Sequence, residues 1–252
     1  MKTISFKNKE DEKLSGLLSK NNDSDIVIVL SHGFLSDKFH SVVTVVSEEL
    51  SSKGFNTFIF DFSGNGESEG LIGDSSYIKE QDDLVSAIDF LENNGFKKFC
   101  LIGHSMGGGV SIITASIDKR VKWLVDLASP GFPEKIKERR FNAEKILEAY
   151  KTGSTSYEFG NEKTLKFNKK FFEDLEKIDI FKSIKKVKMP LLIVHGTKDL
   201  AVDLEESEEL FTIANNPKTI KIISGADHCF SDANSMSELL KSVNKWVLKW
   251  VK

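Results

Sequence analysis

The sequence predicts an α/β fold built on a mostly parallel sheet of about eight strands, flanked by helices. Three observations predict it: short apolar runs recur along the chain, helical patterns separate them, and the runs are apolar at consecutive positions. Strands covered by helices on both faces have this character, because neither face meets water. Residues 3–6 and 14–19 instead alternate apolar and polar residues around a charged turn, as expected of a hairpin at one sheet edge. The buried runs follow at 26–30, 57–62, 99–102, 123–127, 191–194 and 219–223. Helices are expected between and after them at 41–53, 76–94, 106–118, 204–214 and 234–251. The last aligns Leu239, Leu240, Val243, Trp246, Val247 and Trp250 at spacings of three and four, one apolar stripe. Strand–helix–strand repetition of this kind implies right-handed crossovers between parallel strands.

Residues 131–184 interrupt the rhythm. They contain no buried-type strand, are dense in charge and carry interspersed Phe and Tyr. Residues 134–150 and 169–182 read as helices and 154–167 as a short hairpin, so the segment is expected to be an ordered insertion. It divides a core of residues 1–130 and 185–252, and it either decorates the surface or forms a lid over the strand ends.

Composition excludes several classes. The 252 residues include 40% hydrophobic ones, enough for a sizeable core, and the net charge of −3 offers no basis for nucleic-acid binding. The longest aliphatic run, 26–30, falls far short of the roughly 20 residues that cross a bilayer. Charge from Lys7 to Lys13 is unlike a signal peptide, so the expected location is cytoplasmic. Cys100 and Cys229 alone make neither a disulfide framework nor a thiolate zinc site, and no cofactor or metal is expected.

Gly-x-Ser-x-Gly occurs twice, as Gly103-His104-Ser105-Met106-Gly107 and as Gly66-Glu67-Ser68-Glu69-Gly70. Context separates the two. A nucleophilic serine on a strained elbow needs a buried strand before it and a helix after it. Ser105 has both, with Gly107, Gly108 and Gly109 stripping the first helical turn of side chains, whereas Ser68 lies between loops. The Met106 amide then opens a helix and is a natural donor to an oxyanion. A second donor is expected from Ser31-His32-Gly33-Phe34, directly after a buried strand, and the Phe34 amide fills that role; His32 is expected to tie down its own loop.

A serine nucleophile needs an imidazole base and an acid to orient it. Of the five histidines, His228 lies in the flexible loop Ser224-Gly225-Ala226-Asp227-His228 after the last strand, which suits a base serving two proton partners. His104 adjoins Ser105 and should point the other way. Asp199, in His195-Gly196-Thr197-Lys198-Asp199 beyond the preceding strand, is the expected acid; Asp126 and Asp203 are its rivals, the latter with a ready role as a helix cap. The order Ser105, Asp199, His228 is the one this architecture requires.

With these residues in place the chain resembles the α/β-hydrolase superfamily over almost its whole length. It is most similar to small feruloyl or cinnamoyl esterases and monoacylglycerol lipase-like enzymes. Ser31-His32-Gly33-Phe34, Gly-His-Ser-Met-Gly-Gly, His-Gly-x-x-Asp and Gly-Ala-Asp-His-x-Phe carry the resemblance, together with Asp61-Phe62-Ser63-Gly64-Asn65-Gly66-Glu67-Ser68, where Asn65 replaces the usual histidine. The resemblance implies a serine carboxylesterase acting on small to medium esters, with 131–184 as a small cap shaping an acyl or aromatic pocket. Phe132, Phe141, Tyr150, Tyr157, Phe159, Phe167, Phe171 and Phe172 either line that pocket or pack the cap onto the core. Monoacylglycerols, thioesters and N-terminal peptide bonds are the alternative substrates, and a catalytically silent binding protein is the alternative from another class. The expected partner is a small-molecule ester, and a homodimer is left open.

Overall fold

Along β3 (Ile26–Ser31), Val27 and Val29 enter one apolar cluster while Ile28 and Leu30 enter another, so consecutive apolar residues serve two cores. The same division holds along β5 (Lys98–His104), β6 (Val121–Leu127) and β9 (Leu191–Gly196). One face is covered by α1 (Ser41–Ser52) and α9 (Ala233–Trp250), through Val42, Val46, Leu50, Leu239, Val243 and Trp246. The other is covered by α2 (Tyr77–Asn93), α3 (Met106–Ile117) and α8 (Leu204–Ile213), through Leu84, Ile88, Val110, Ile112 and Leu210. Burying each such side chain stabilises the chain by about 1.5–3 kcal/mol, which is why a strand with two covered faces is apolar along most of its length.

This computed structural model describes residues 1–160 and 163–251. With β1 (Lys2–Lys7), β2 (Lys13–Ser19), β4 (Thr57–Phe60) and β10 (Lys218–Ile223), the sheet has eight strands in the order β1-β2-β4-β3-β5-β6-β9-β10. β1 and β2 pair antiparallel, β2 meets β4 antiparallel, and the remaining pairs are parallel. β5 is therefore central, and its carboxyl end lies beside those of β3 and β6. In open parallel sheets a ligand crevice forms at such strand ends.

Between β6 and β9 the chain forms α4 (Lys135–Arg140), α5 (Ala143–Thr152), a two-stranded antiparallel ribbon of β7 (Ser154–Phe159) and β8 (Lys163–Asn168), α6 (Lys169–Lys177) and α7 (Ile180–Ile184). Two helices expected as continuous are each broken. Phe141 leaves the helical path and is buried, and Asn142 caps α5 by accepting the Lys145 amide at 2.9 Å. Asp179 does the same for α7, accepting the Lys182 amide at 2.7 Å. Asn and Asp side chains satisfy the exposed amides of a helix start, so each marks a new helix.

One carboxylate on the α2 face is buried without full compensation. Glu80 Oε1 accepts the Ser75 hydroxyl at 2.8 Å, while Oε2 has no partner among the described residues. Burial pushes its carboxyl up to about 8, the Ser75 hydrogen bond opposing and the Asp83 charge assisting. The folded chain thus keeps a proton that the unfolded chain releases near the ordinary value of 4.5. Between those values the native state binds more protons, so stability falls as pH rises. Glu80→Gln removes this dependence: its unfolding free energy relative to wild type is expected to increase from about pH 5 to about pH 8, by on the order of a few kcal/mol in urea titrations. A difference independent of pH would mean that Glu80 is ionised in the folded chain.

Candidate active site

β5 ends at His104, and the next residue, Ser105, has φ 56° and ψ −126°. A non-glycine residue in that region is strained and persists only where its surroundings hold it. Here the Ser105 amide donates to the Leu127 carbonyl at 2.9 Å, and the Ser105 carbonyl accepts the Gly108 amide at 2.9 Å as α3 begins. The flanking glycines are a steric requirement. A methyl group at Gly103 would lie 2.2 Å from the Gly107 carbonyl oxygen, and one at Gly107 would lie 2.3 Å from that of His32. Ser68, in the second Gly-x-Ser-x-Gly, instead donates to the Asp61 carbonyl at 2.7 Å and accepts the Ser15 amide at 3.0 Å, bonds that fasten a loop.

The loop after β3 closes over this elbow. A methyl group at Gly33 would sit 3.0 Å from Ser105 Cβ and 3.4 Å from Oγ, so the chain at Phe34 passes beside the hydroxyl. The amides of Phe34 and Met106 donate to no acceptor among the described residues. His32 holds the loop from behind: its Nε2 accepts the Phe62 amide at 3.1 Å and its Nδ1 donates to the Gly33 carbonyl at 2.9 Å.

Asp199 and His228 meet. His228 Nδ1 lies 2.6 Å from Asp199 Oδ2, and the other carboxylate oxygen accepts the amides of Ala201 at 2.8 Å and Val202 at 2.9 Å. A second imidazole reaches the same carboxylate, His195 Nε2 at 3.1 Å, with His195 Nδ1 accepting the Ser207 hydroxyl at 2.6 Å. Burial works against charge on Asp199, but the hydrogen bonds from His195 and His228 and the Val202 amide prevail and hold it below the usual carboxylate range. Ser105 and His228 line one cleft of about 500 Å³ without a hydrogen bond between them among the described residues. Such bonds commonly tighten only once substrate is bound.

The rivals for the acid lie elsewhere. Asp126, fully buried at the end of β6, presses against Gly108, where a methyl group would be 2.5 Å from Oδ1; burial raises its carboxyl to about 6. Asp203 precedes α8 at its N-cap position, yet its side chain makes no cap and pairs with Arg139 at 2.7 Å instead.

Two histidines matter in ways the sequence reading did not capture. His195 is the second donor to Asp199; its spacing of four residues from that aspartate across a turn was the available signal. His104, expected to point away, stacks between His40 at 5.2 Å and His228 at 4.9 Å, and its Nε2 donates to the His228 carbonyl at 2.9 Å. Burial lowers the His104 imidazole to about 3, the His228 ring adding to the effect, so it remains a neutral donor that ties the His228 loop to the elbow. Cys229 is half-buried beside it, its thiol raised by burial and by Asp227 and Asp199.

Four phenylalanines of the insertion pack inward, whereas Phe159 is exposed. Phe141, Phe167, Phe171 and Phe172 are buried against one another, and Phe171 stacks on Phe34 at 5.4 Å. The insertion's contribution to the cleft is Ile136, Arg139 and Arg140, leaving Phe34 as the aromatic side chain of its wall among the described residues. No helix among the described residues is long and apolar enough to cross a membrane.

Comparison with known proteins places this fold. Est1E from Butyrivibrio proteoclasticus, in a structure with ferulic acid bound, superimposes with a TM-score of 0.85 over 98% of this chain and 99% of that one, at 21% identity. The esterase domain of a Rhodothermus marinus protein does so with a TM-score of 0.74 over 100% and 99%, at 24% identity. YfhR of Salmonella typhimurium, an uncharacterised protein, is 27% identical over 183 residues, 71% of this chain and 56% of its own length. The chain thus spans little more than half the length of the curated relatives it matches. A family model matches residues 26–152, about half of the chain and the stretch that builds the elbow and the loop over it, so the chain belongs to the alpha/beta hydrolase fold family.

Proposed function

We propose that this hydrolase is a serine carboxylesterase, with Ser105 as nucleophile, His228 as base, Asp199 as the acid that orients it, and the amides of Phe34 and Met106 as the oxyanion hole. The observation that carries the reading is the His228–Asp199 hydrogen bond of 2.6 Å at a cleft that also contains the strained Ser105. A strained serine between a central strand and a helix is the geometry of a nucleophile elbow. The likeness in fold to Est1E and to the Rhodothermus marinus esterase domain supports ester chemistry.

The reaction proceeds by two acyl transfers. His228 takes the Ser105 proton as Oγ attacks the ester carbonyl, and the two amides stabilise the tetrahedral oxyanion, each by about 2.7–4 kcal/mol. The imidazolium then gives its proton to the departing alcohol as the carbon–oxygen bond breaks. Water, deprotonated by the same imidazole, releases the acid and restores Ser105. Asp199 keeps His228 in the tautomer with its proton on Nδ1 and stabilises the charged ring. Residues 131–184 act as a cap that supports Phe34 through the stack with Phe171.

A fluorophosphonate probe is expected to label Ser105, identified by peptide mass, and to abolish hydrolysis of p-nitrophenyl esters in proportion to labelling. Hydrolysis that survives complete labelling, or label found only elsewhere, would overturn the assignment.

A further inference from the structure

The wall that the insertion presents to the cleft is cationic. Arg139 and Arg140 reach it from α4, and Lys198 joins them from the loop that carries Asp199. Arg139 is structurally committed: its guanidinium donates to the Ala201 carbonyl at 2.7 Å, to Asp203 at 2.7 Å and to Glu206 at 3.1 Å. Glu206 is buried and also takes Lys135 and the amides of Gly131 and Phe132, clamping α4 to α8 and the loop before it.

Arg140 and Lys198 differ. Neither has an ion pair or a side-chain hydrogen bond among the described residues, and both are exposed. Their backbones are nevertheless held, Arg140 as the last residue of the clamped α4 and Lys198 by its amide on the Ala226 carbonyl at 2.9 Å. Among the described residues the cleft wall holds one carboxylate, Asp227, whose Oδ1 already accepts the amides of Cys229 at 3.1 Å and Ser231 at 2.9 Å. A cleft with surplus charge of one sign concentrates ligands of the other, and a guanidinium suits carboxylate and phosphate oxygens in particular.

We propose that Arg140 and Lys198 are specificity residues, and that the preferred substrates are esters carrying an anionic group, a carboxylate or a phosphate, beyond the scissile bond. This rests on the esterase reading of the same cleft. A neutral aromatic ester would find Phe34 to pack against and would leave both cations without a partner.

The test compares kcat/KM within two matched pairs. One pair is mono-p-nitrophenyl glutarate against p-nitrophenyl butyrate, the carboxylate arm; the other is butyryl glycerol 3-phosphate against monobutyrin, the phosphate arm. Wild type is expected to favour the anionic member of at least one pair. The double substitution Arg140→Gln, Lys198→Gln is expected to lower that anionic-to-neutral ratio about fivefold. Rising salt should lower the same ratio in wild type, a measurement that depends on no variant. Ratios equal in wild type and variant for both pairs, and insensitive to salt, would overturn the inference while leaving the esterase standing. Failure to hydrolyse any of these esters, together with no fluorophosphonate label on Ser105, would overturn the esterase reading and this inference with it.

Discussion

Replacing Ser105 with alanine is expected to lower kcat for p-nitrophenyl ester hydrolysis by about 10⁶-fold, to the residual rate that an oxyanion hole and a binding cleft sustain without a nucleophile. The loss follows from chemistry alone, since the elbow beside the Phe34 and Met106 amides then carries no hydroxyl. Stability should change little. Alanine keeps the Cβ and adopts φ 56° at the same steric cost as serine. The Ser105 hydroxyl makes no hydrogen bond among the described residues, so its removal orphans no buried partner. The check is kinetic assay of a variant whose urea midpoint matches wild type. A folded variant that turns over ester undiminished would remove Ser105 from the mechanism.

Lys38→Met is expected to destabilise the fold by about 3–5 kcal/mol, the cost of leaving a buried carboxylate without its cation. The Lys38 side chain is 1% exposed and its ammonium lies 2.5 Å from Oδ2 of Asp61, itself 0% exposed, and 2.7 Å from Glu67. Burial alone would lower the ammonium's pKa, but hydrogen bonds to Asp61 and Glu67 outweigh it and raise the value above the ordinary one. The Lys38 amide also donates to Asp61, at 2.7 Å. This pair pins the segment that follows Phe34 to the loop after β4, so activity should fall with stability. Removing both charges in Lys38→Met, Asp61→Asn is expected to recover part of the loss, because no buried charge is then left unpaired while a side-chain oxygen still accepts the Lys38 amide. Denaturant midpoints decide it; a loss below about 1 kcal/mol for Lys38→Met would show that solvent reaches the pair.

Local signals carried much of the architecture. Consecutive apolar residues in β3, β5, β6 and β9 predict strands with two covered faces, because that pattern has no other stable use in a short run. The alternation in β1 and β2 predicts the antiparallel edge for the converse reason. Strand, glycine, serine, glycine and helix around Ser105 are adjacent in the chain, so the elbow is legible without long-range information. The breaks within the insertion were less so: Asn142 and Asp179 each have the side chain of a helix cap, yet their surroundings keep helical spacing and conceal the interruption.

What the sequence by itself determined is the layered α/β core, the elbow at Ser105, and the pairing of residue types that a serine hydrolase would use. Tertiary structure decided which aspartate meets His228, since Asp126 near the end of β6 and Asp199 in the loop after β9 lie at the carboxyl ends of neighbouring strands, and the packing of α3 buries Asp126 against Gly108. It also decided that His195 and His104 brace Asp199 and the His228 loop, and that the insertion turns four of its phenylalanines into the core and its arginines toward the cleft. Spacing along a chain records which side chains share a face. Which face meets which partner depends on contacts between segments far apart in sequence, and those exist only once the sheet has assembled.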